Sequence, residues 1–307
     1  MNGTTAMRIA VLGPGGVGGL LAALLDRAGH EVTVVARDST AARIAASGIE
    51  VDSVTFGRFT ARPRAVERLS DPTDALLVAT KASGLEAALD RIDVEPATVL
   101  PLLNGLDHIA VLRRRFPSDS VLAGSIRVEA DRPQAGVIVH TSPFLLVSMA
   151  GRAPAMAPRI ERLAAALGDA GVPFEVLDSE ADVMWSKLVR LNALACTTSA
   201  YDKLLGEIRS TPALRADLVG AMIEAAAAGR AEGADVDGET AIEELERAHA
   251  TLGSSMQRDI AAGREPELDA IPGSVMRAAA RHGLTCPTIE RLVGMIAARA
   301  GIEAPVI

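Results

Sequence analysis

The first apolar run is short and unbroken, Arg8–Leu12; a glycine-rich break and a longer apolar stretch stopping at Gly29 follow it. A buried strand, a tight turn and a helix with glycine in the left-handed position past its end account for this pattern. Glu31–Val35 is β-rich and bounded by polar residues, as a second strand would be. Further apolar runs occur at Ala75–Thr80, Thr98–Leu102 and Val121–Ala123, while Gly136–Val139 and Phe144–Met149 look like added strands closing the same domain. Strands alternating with helical stretches predict a parallel, doubly wound sheet. Beyond about Asp178 the pattern turns helical, with predicted helices at Ser179–Ala200, Pro212–Glu232, Glu239–Ala250, Ile271–His282 and Pro287–Arg299. The expected architecture is thus α/β over 7–178 and all-helical over 179–307, with Met1–Ala6 as a loose tail.

Ile9–Leu25 is 17 residues without a charge, which raises the possibility of a signal peptide or a membrane span. Five glycines and a proline within Gly13–Gly19 argue against both. The net charge of −8, from 31 basic and 39 acidic residues, leaves no basic excess for nucleic acid or anionic lipid. Aromatic residues at 2% leave little for base stacking. Cys196 and Cys286 form no disulfide framework, so a cytoplasmic protein is expected. The five histidines lack metal-ligand spacing, so no metal is expected, and no G-x-S-x-G elbow occurs.

Gly13-Pro14-Gly15-Gly16-Val17-Gly18 matches G-x-G-x-x-G between a predicted strand and a predicted helix. The first glycine allows the tight turn, the second lets backbone approach a pyrophosphate, and the third lets helix and strand pack closely. These six residues are candidate dinucleotide contacts, and the N-terminal domain is read as a Rossmann domain. An NAD site would place Asp or Glu at the end of the second strand; this chain has Ala36-Arg37 there. A guanidinium pairs with a 2′-phosphate, so Arg37 favours NADP(H), although Asp38 lies beside it and a solvated arginine is the plainer alternative.

Of the 31 basic residues only Lys81, Lys187 and Lys203 are lysine. A chain that uses arginine for generic charge retains lysine where a proton must be given up. Lys187, in Trp185-Ser186-Lys187-Leu188, is the candidate proton donor, against the alternative of a lysine snorkelling along its helix. Lys203 reads as a surface residue. Cys196 reads as buried packing, and Arg113-Arg114-Arg115 as a cationic helix end.

These features resemble the ketopantoate reductase family (2-dehydropantoate 2-reductases) across almost the whole chain. The resemblance is carried by Gly13–Gly18, Arg37, Lys81, Asn104-Gly105, Trp185-x-Lys187-Leu188, the run from Ser254 to Ile271, and His282-Gly283-Leu284-Thr285-Cys286-Pro287. It implies that Lys187 is the general acid and that Glu267 bonds the substrate hydroxyl or the lysine. It further implies that Ser255 holds the substrate carboxylate, Asn104 positions substrate and cofactor, and Arg37 and Lys81 hold the adenosine side of NADPH. Ser255 is also open to a reading as the cap of a helix beginning near Met256, and Asn104-Gly105 as a plain turn. The implied activity is NADPH-dependent reduction of a 2-oxo acid, ketopantoate to pantoate, in a monomer or homodimer. The alternatives are a paralogue acting on another ketone or imine, or an NADP(H)-binding sensor.

The chain departs from the family where Leu191 and Ala195 replace asparagines four and eight residues after the lysine, and at Leu103 and Pro272. Asn192 is the nearby substrate-binding candidate, but one residue on a helix is a rotation of roughly 100°.

Overall fold

The computed structural model describes residues 6–307; Met1–Thr5 of the expected tail lie outside the described residues. One compact unit takes the chain up to Leu103 and resumes with His108–Val183; the other comprises Asn104–Asp107 and Met184–Ile307. The division thus falls after Val183 rather than after Asp178, and a short segment from the middle of the α/β region joins the helical unit.

The first unit is built on a five-stranded parallel sheet in the order Arg64–Val66, Glu31–Val35, Arg8–Leu12, Ala75–Val78, Thr98–Pro101. This is the doubly wound Rossmann arrangement expected from the alternation. Four of its strands match the apolar runs; Arg64–Val66 has no fully buried residue and so leaves no such run. Of the predicted strands after residue 120, Val121–Ala123 meets this sheet only through a single parallel bridge from Val121 to Val99, and the others belong to separate sheets. Val137–His140 joins a four-stranded sheet with Ala130–Gln134, Ile49–Ser53 and Gly57–Ala61, and Leu146–Ala150 joins a three-stranded sheet with Ala123–Arg127 and Phe174–Val176.

The uncharged stretch from Ile9 is explained by burial on more than one side. In the helix Gly16–Arg27, every residue from Gly18 to Leu25 is buried, and a Cβ on Gly19 would stand 2.5 Å from Ile138 of the second sheet. A helix covered on both faces is apolar all round. No helix among the described residues is long and apolar enough to cross a membrane.

In the second unit, the helix Glu180–Tyr201 packs Trp185 against Gly229 of the helix Pro212–Ala231; Trp185 is 2% exposed. The predicted helix Ile271–His282 begins instead as a π turn, Asp269–Gly273, followed by the α-helix Ser274–Arg281. Pro272 has no N–H to give the Leu268 carbonyl, so Gly273 donates to it at 3.1 Å and the register slips by one residue.

Candidate active site

In the first unit, the turn at the carboxyl end of Arg8–Leu12 has the geometry that its glycines require. Gly13 has φ +87°, and a Cβ on Gly18 would stand 2.3 Å from the Gly13 carbonyl oxygen. Around the Cβ position of Gly15 there is open space, with no atom within 4 Å. Gly16 has the opposite surroundings: a Cβ there would meet the Ala130 carbonyl oxygen at 2.0 Å. The first intrahelical bond runs from Gly19 N–H to Gly15 O at 2.8 Å, so the N–H groups of Gly16, Val17 and Gly18 precede it. Pro14 completes the turn without a donor of its own. Open backbone and unspent donors at a helix N-terminus suit a pyrophosphate, so these residues fit a dinucleotide.

Arg37 and Lys81 follow the strands Glu31–Val35 and Ala75–Val78, and both are exposed. The Arg37 side chain meets no carboxylate among the described residues, while Asp38 lies 3.8 Å from Arg91.

In the second unit, Lys187, Asn104 and Glu267 form a chain of bonds. The Lys187 Nζ donates to Asn104 Oδ1 at 2.9 Å, and Asn104 Nδ2 donates to Glu267 Oε2 at 3.0 Å. An ammonium only donates and a carboxylate only accepts, so the chemistry fixes which way the amide faces. Trp185 against Gly229 on one side, and Arg190 bonded to Glu244 at 3.0 Å on another, set the rotation of the lysine-bearing helix.

The family description Ketopantoate reductase PanE/ApbA matches residues 9–148, and its C-terminal counterpart matches residues 181–300. A 2-dehydropantoate 2-reductase of Mycobacterium tuberculosis is 31% identical over 312 residues, covering 95% of this chain and 98% of that protein. The chain belongs to the ketopantoate reductase family. It is an oxidoreductase of that family. The solved 2-dehydropantoate 2-reductase from Geobacter metallireducens superimposes with a TM-score of 0.86 at 27% identity, covering 95% of this chain and 99% of that one. D-mandelate dehydrogenase, solved with NADH and anilino(oxo)acetate, has the same fold, with a TM-score of 0.88 at 20% identity over 96% of this chain and 99% of that one.

The other residues singled out in this family member stand apart from the three-residue chain. Ser255 is the first residue of the helix Ser255–Ala261 and is exposed; the cap is Ser254, whose hydroxyl accepts from Gln257 N–H at 3.0 Å. The capping left open as an alternative for Ser255 thus belongs to its neighbour, because the helix begins at Ser255 itself rather than near Met256. Thr198, three turns beyond Lys187 on the same helix, donates to Ser254 Oγ at 2.8 Å.

Asn192 is fully buried; its Oδ1 accepts from Cys196 Sγ at 3.6 Å, and its Nδ2 has no partner among the described residues. The helix is regular α through this stretch, so no register shift brings Asn192 to the face of Lys187. Leu191 and Ala195 hold that face instead.

Arg277 was not among the residues singled out from sequence. Its guanidinium bonds Asp107 and Asp269, three residues after Asn104 and two after Glu267.

Proposed function

We propose that this chain reduces a 2-oxo acid to a 2-hydroxy acid with NADPH, and that the acid is ketopantoate, giving pantoate for pantothenate biosynthesis in the cytoplasm. The observation that carries the reading is the bond chain from Lys187 through Asn104 to Glu267. Gly13–Gly18 would hold the cofactor's pyrophosphate and Arg37 and Lys81 its adenosine side, and the bound nicotinamide supplies a hydride.

Reduction of a ketone leaves negative charge on the former carbonyl oxygen, and the Lys187 ammonium both stabilises that charge and gives it a proton. Asn104 keeps Nζ in place. Glu267, an acceptor behind the amide, favours the charged lysine until the proton is passed on. The Ser255 hydroxyl would donate to the substrate carboxylate.

Purified protein is tested for NADPH consumption with ketopantoate beside a panel of 2-oxo acids, and with NADH in parallel. Saturable turnover of ketopantoate, faster with NADPH, is the expected result; equal rates with NADH overturn the role given to Arg37. Lys187→Ala lowers kcat by about 100-fold or more while NADPH still binds as in the wild type. A variant that kept most of its rate would end the proton-donor assignment.

One observation favours a second substrate. Leu191 and the fully buried Ala195 continue the face of Lys187 without an amide. An unmet buried hydrogen bond costs about 1–3 kcal/mol, so a less polar 2-oxo acid would turn over faster than ketopantoate if substrate lies along that face.

A further inference from the structure

The segment Asn104–Asp107 belongs to the helical unit although the chain on both sides of it belongs to the other. Besides the Asn104 bonds to Lys187 and Glu267, two further contacts hold it there. Gly105 has φ +84°, and a Cβ on it would fall 1.9 Å from the Ala270 carbonyl oxygen, so backbone lies directly on backbone. Asp107 Oδ2 accepts from Arg277 Nε at 3.2 Å and from Nη2 at 2.6 Å. The same guanidinium donates through Nη1 to Asp269 Oδ1 at 2.7 Å and to the Val306 carbonyl at 3.1 Å, and through Nη2 to the Asp269 carbonyl at 3.1 Å. One planar group therefore fastens three segments. Two of them carry the partners of Lys187: Asn104 stands three residues before Asp107, and Glu267 two residues before Asp269.

We propose that Arg277 is a positioning residue for the proton donor, fixing the Asn104 loop to the Glu267 segment so that both stay in register with Lys187 Nζ. The inference rests on the reading of those three residues as the proton-donating site. A lysine could not replace it, because a single ammonium cannot span two carboxylates and two carbonyls as the guanidinium fork does. Burial works against the Arg277 charge, but the bonds to Asp269 and Asp107 outweigh it and raise its pKa above the usual arginine value.

The test uses Arg277→Ala, with Asp107→Ala removing the acceptor of the same bridge from a half-exposed position. Each lowers kcat by about 10- to 100-fold without changing the Kd for NADPH, and the double variant is no worse than the weaker single one. A second readout needs no turnover. With three lysines in the chain, carbon-13 labelling at lysine Cε gives few signals, and the Lys187 signal is assigned by its loss in Lys187→Ala. Its titration midpoint moves down in both bridge variants, because acceptors that favour the ammonium are no longer held beside it. Loss of thermal stability with unchanged kcat and an unchanged Lys187 titration overturns the positioning role. If Lys187→Ala is inactive while both bridge variants behave as wild type, only this inference fails; if Lys187→Ala keeps its rate, the reading beneath it fails as well.

Discussion

Gly15 and Gly16 are adjacent, yet one faces open space and the other lies against the Ala130 carbonyl. A methyl group therefore has opposite consequences at the two positions. Gly15→Ala keeps the melting temperature of the wild type and weakens binding of the nicotinamide dinucleotide, since the added carbon occupies the approach to the backbone. Gly16→Ala forces the Ala130 strand away and costs about 1–3 kcal/mol of stability, which urea unfolding would measure. The tight turn at Gly13 and the close packing at Gly18 were legible in their spacing, through the positive φ of Gly13 and the approach of Gly18 to the Gly13 carbonyl. The role of Gly16 was not, since Ala130 belongs to a distant strand. The two adjacent serines show the same limit: which of Ser254 and Ser255 caps the helix is decided by where its first turn starts, and both residue types fit. Lys187 stood out by the scarcity of lysine, but its bonding to Asn104 and Glu267 joins three regions that no local pattern connects.

Long periodic elements were the most legible, and Glu180–Tyr201 is one of them. What aims its lysine is a contact between elements. A Cβ on Gly229 would stand 3.1 Å from the Trp185 ring and 2.9 Å from the Val236 side chain, so the two helices touch through a residue with no side chain. Gly229→Val pushes the tryptophan, and with it the start of the lysine helix, out of place. The expected cost is about 1–3 kcal/mol in urea unfolding, together with a fall in kcat larger than any change in cofactor affinity. Elements with weak periodicity were missed. Ile49–Ser53 alternates buried and exposed over five residues, too short to stand out beside the continuous runs of the parallel sheet. The π turn at Asp269–Gly273 was missed for another reason: a proline near a helix start is ordinary, and the slip comes from which carbonyl it leaves without a donor.

At the scale of the whole molecule, the many arginine–carboxylate pairs are largely exposed and add little stability each, as with Arg58–Asp52 or Arg64–Asp71. The response to acid therefore depends on groups that are buried, and His140 is the clearest. It is 1% exposed, with Nδ1 2.8 Å from Ser53 Oγ and Nε2 3.2 Å from Ser142 Oγ. Ser142 spends its hydroxyl proton on the Phe144 carbonyl at 2.7 Å, so it accepts from Nε2–H, and the neutral ring accepts at Nδ1 from Ser53. Ser53 Oγ already accepts from the N–H groups of Thr55 and Phe56, leaving no acceptor for a second ring proton. Burial holds the imidazole below its usual range of 6.5, against the opposing influence of the Phe144 backbone. A lowered histidine pKa means that the unfolded chain takes up the proton first. Stability is thus complete above about pH 6.5 and declines as the pH falls below it, by at most ~1.4 kcal/mol per pH unit. Asp74, whose pKa burial would raise but whose bonds to Arg8 lower it, keeps its contribution until the pH falls below the ordinary carboxylate range. The two losses are therefore separated in pH. Thermal unfolding followed from about pH 8 down to about pH 5 should show the melting temperature flat at first and then falling. In His140→Gln the melting temperature starts lower and the decline between about pH 6.5 and pH 5 becomes shallower; an unchanged slope would place the acid response in some other group.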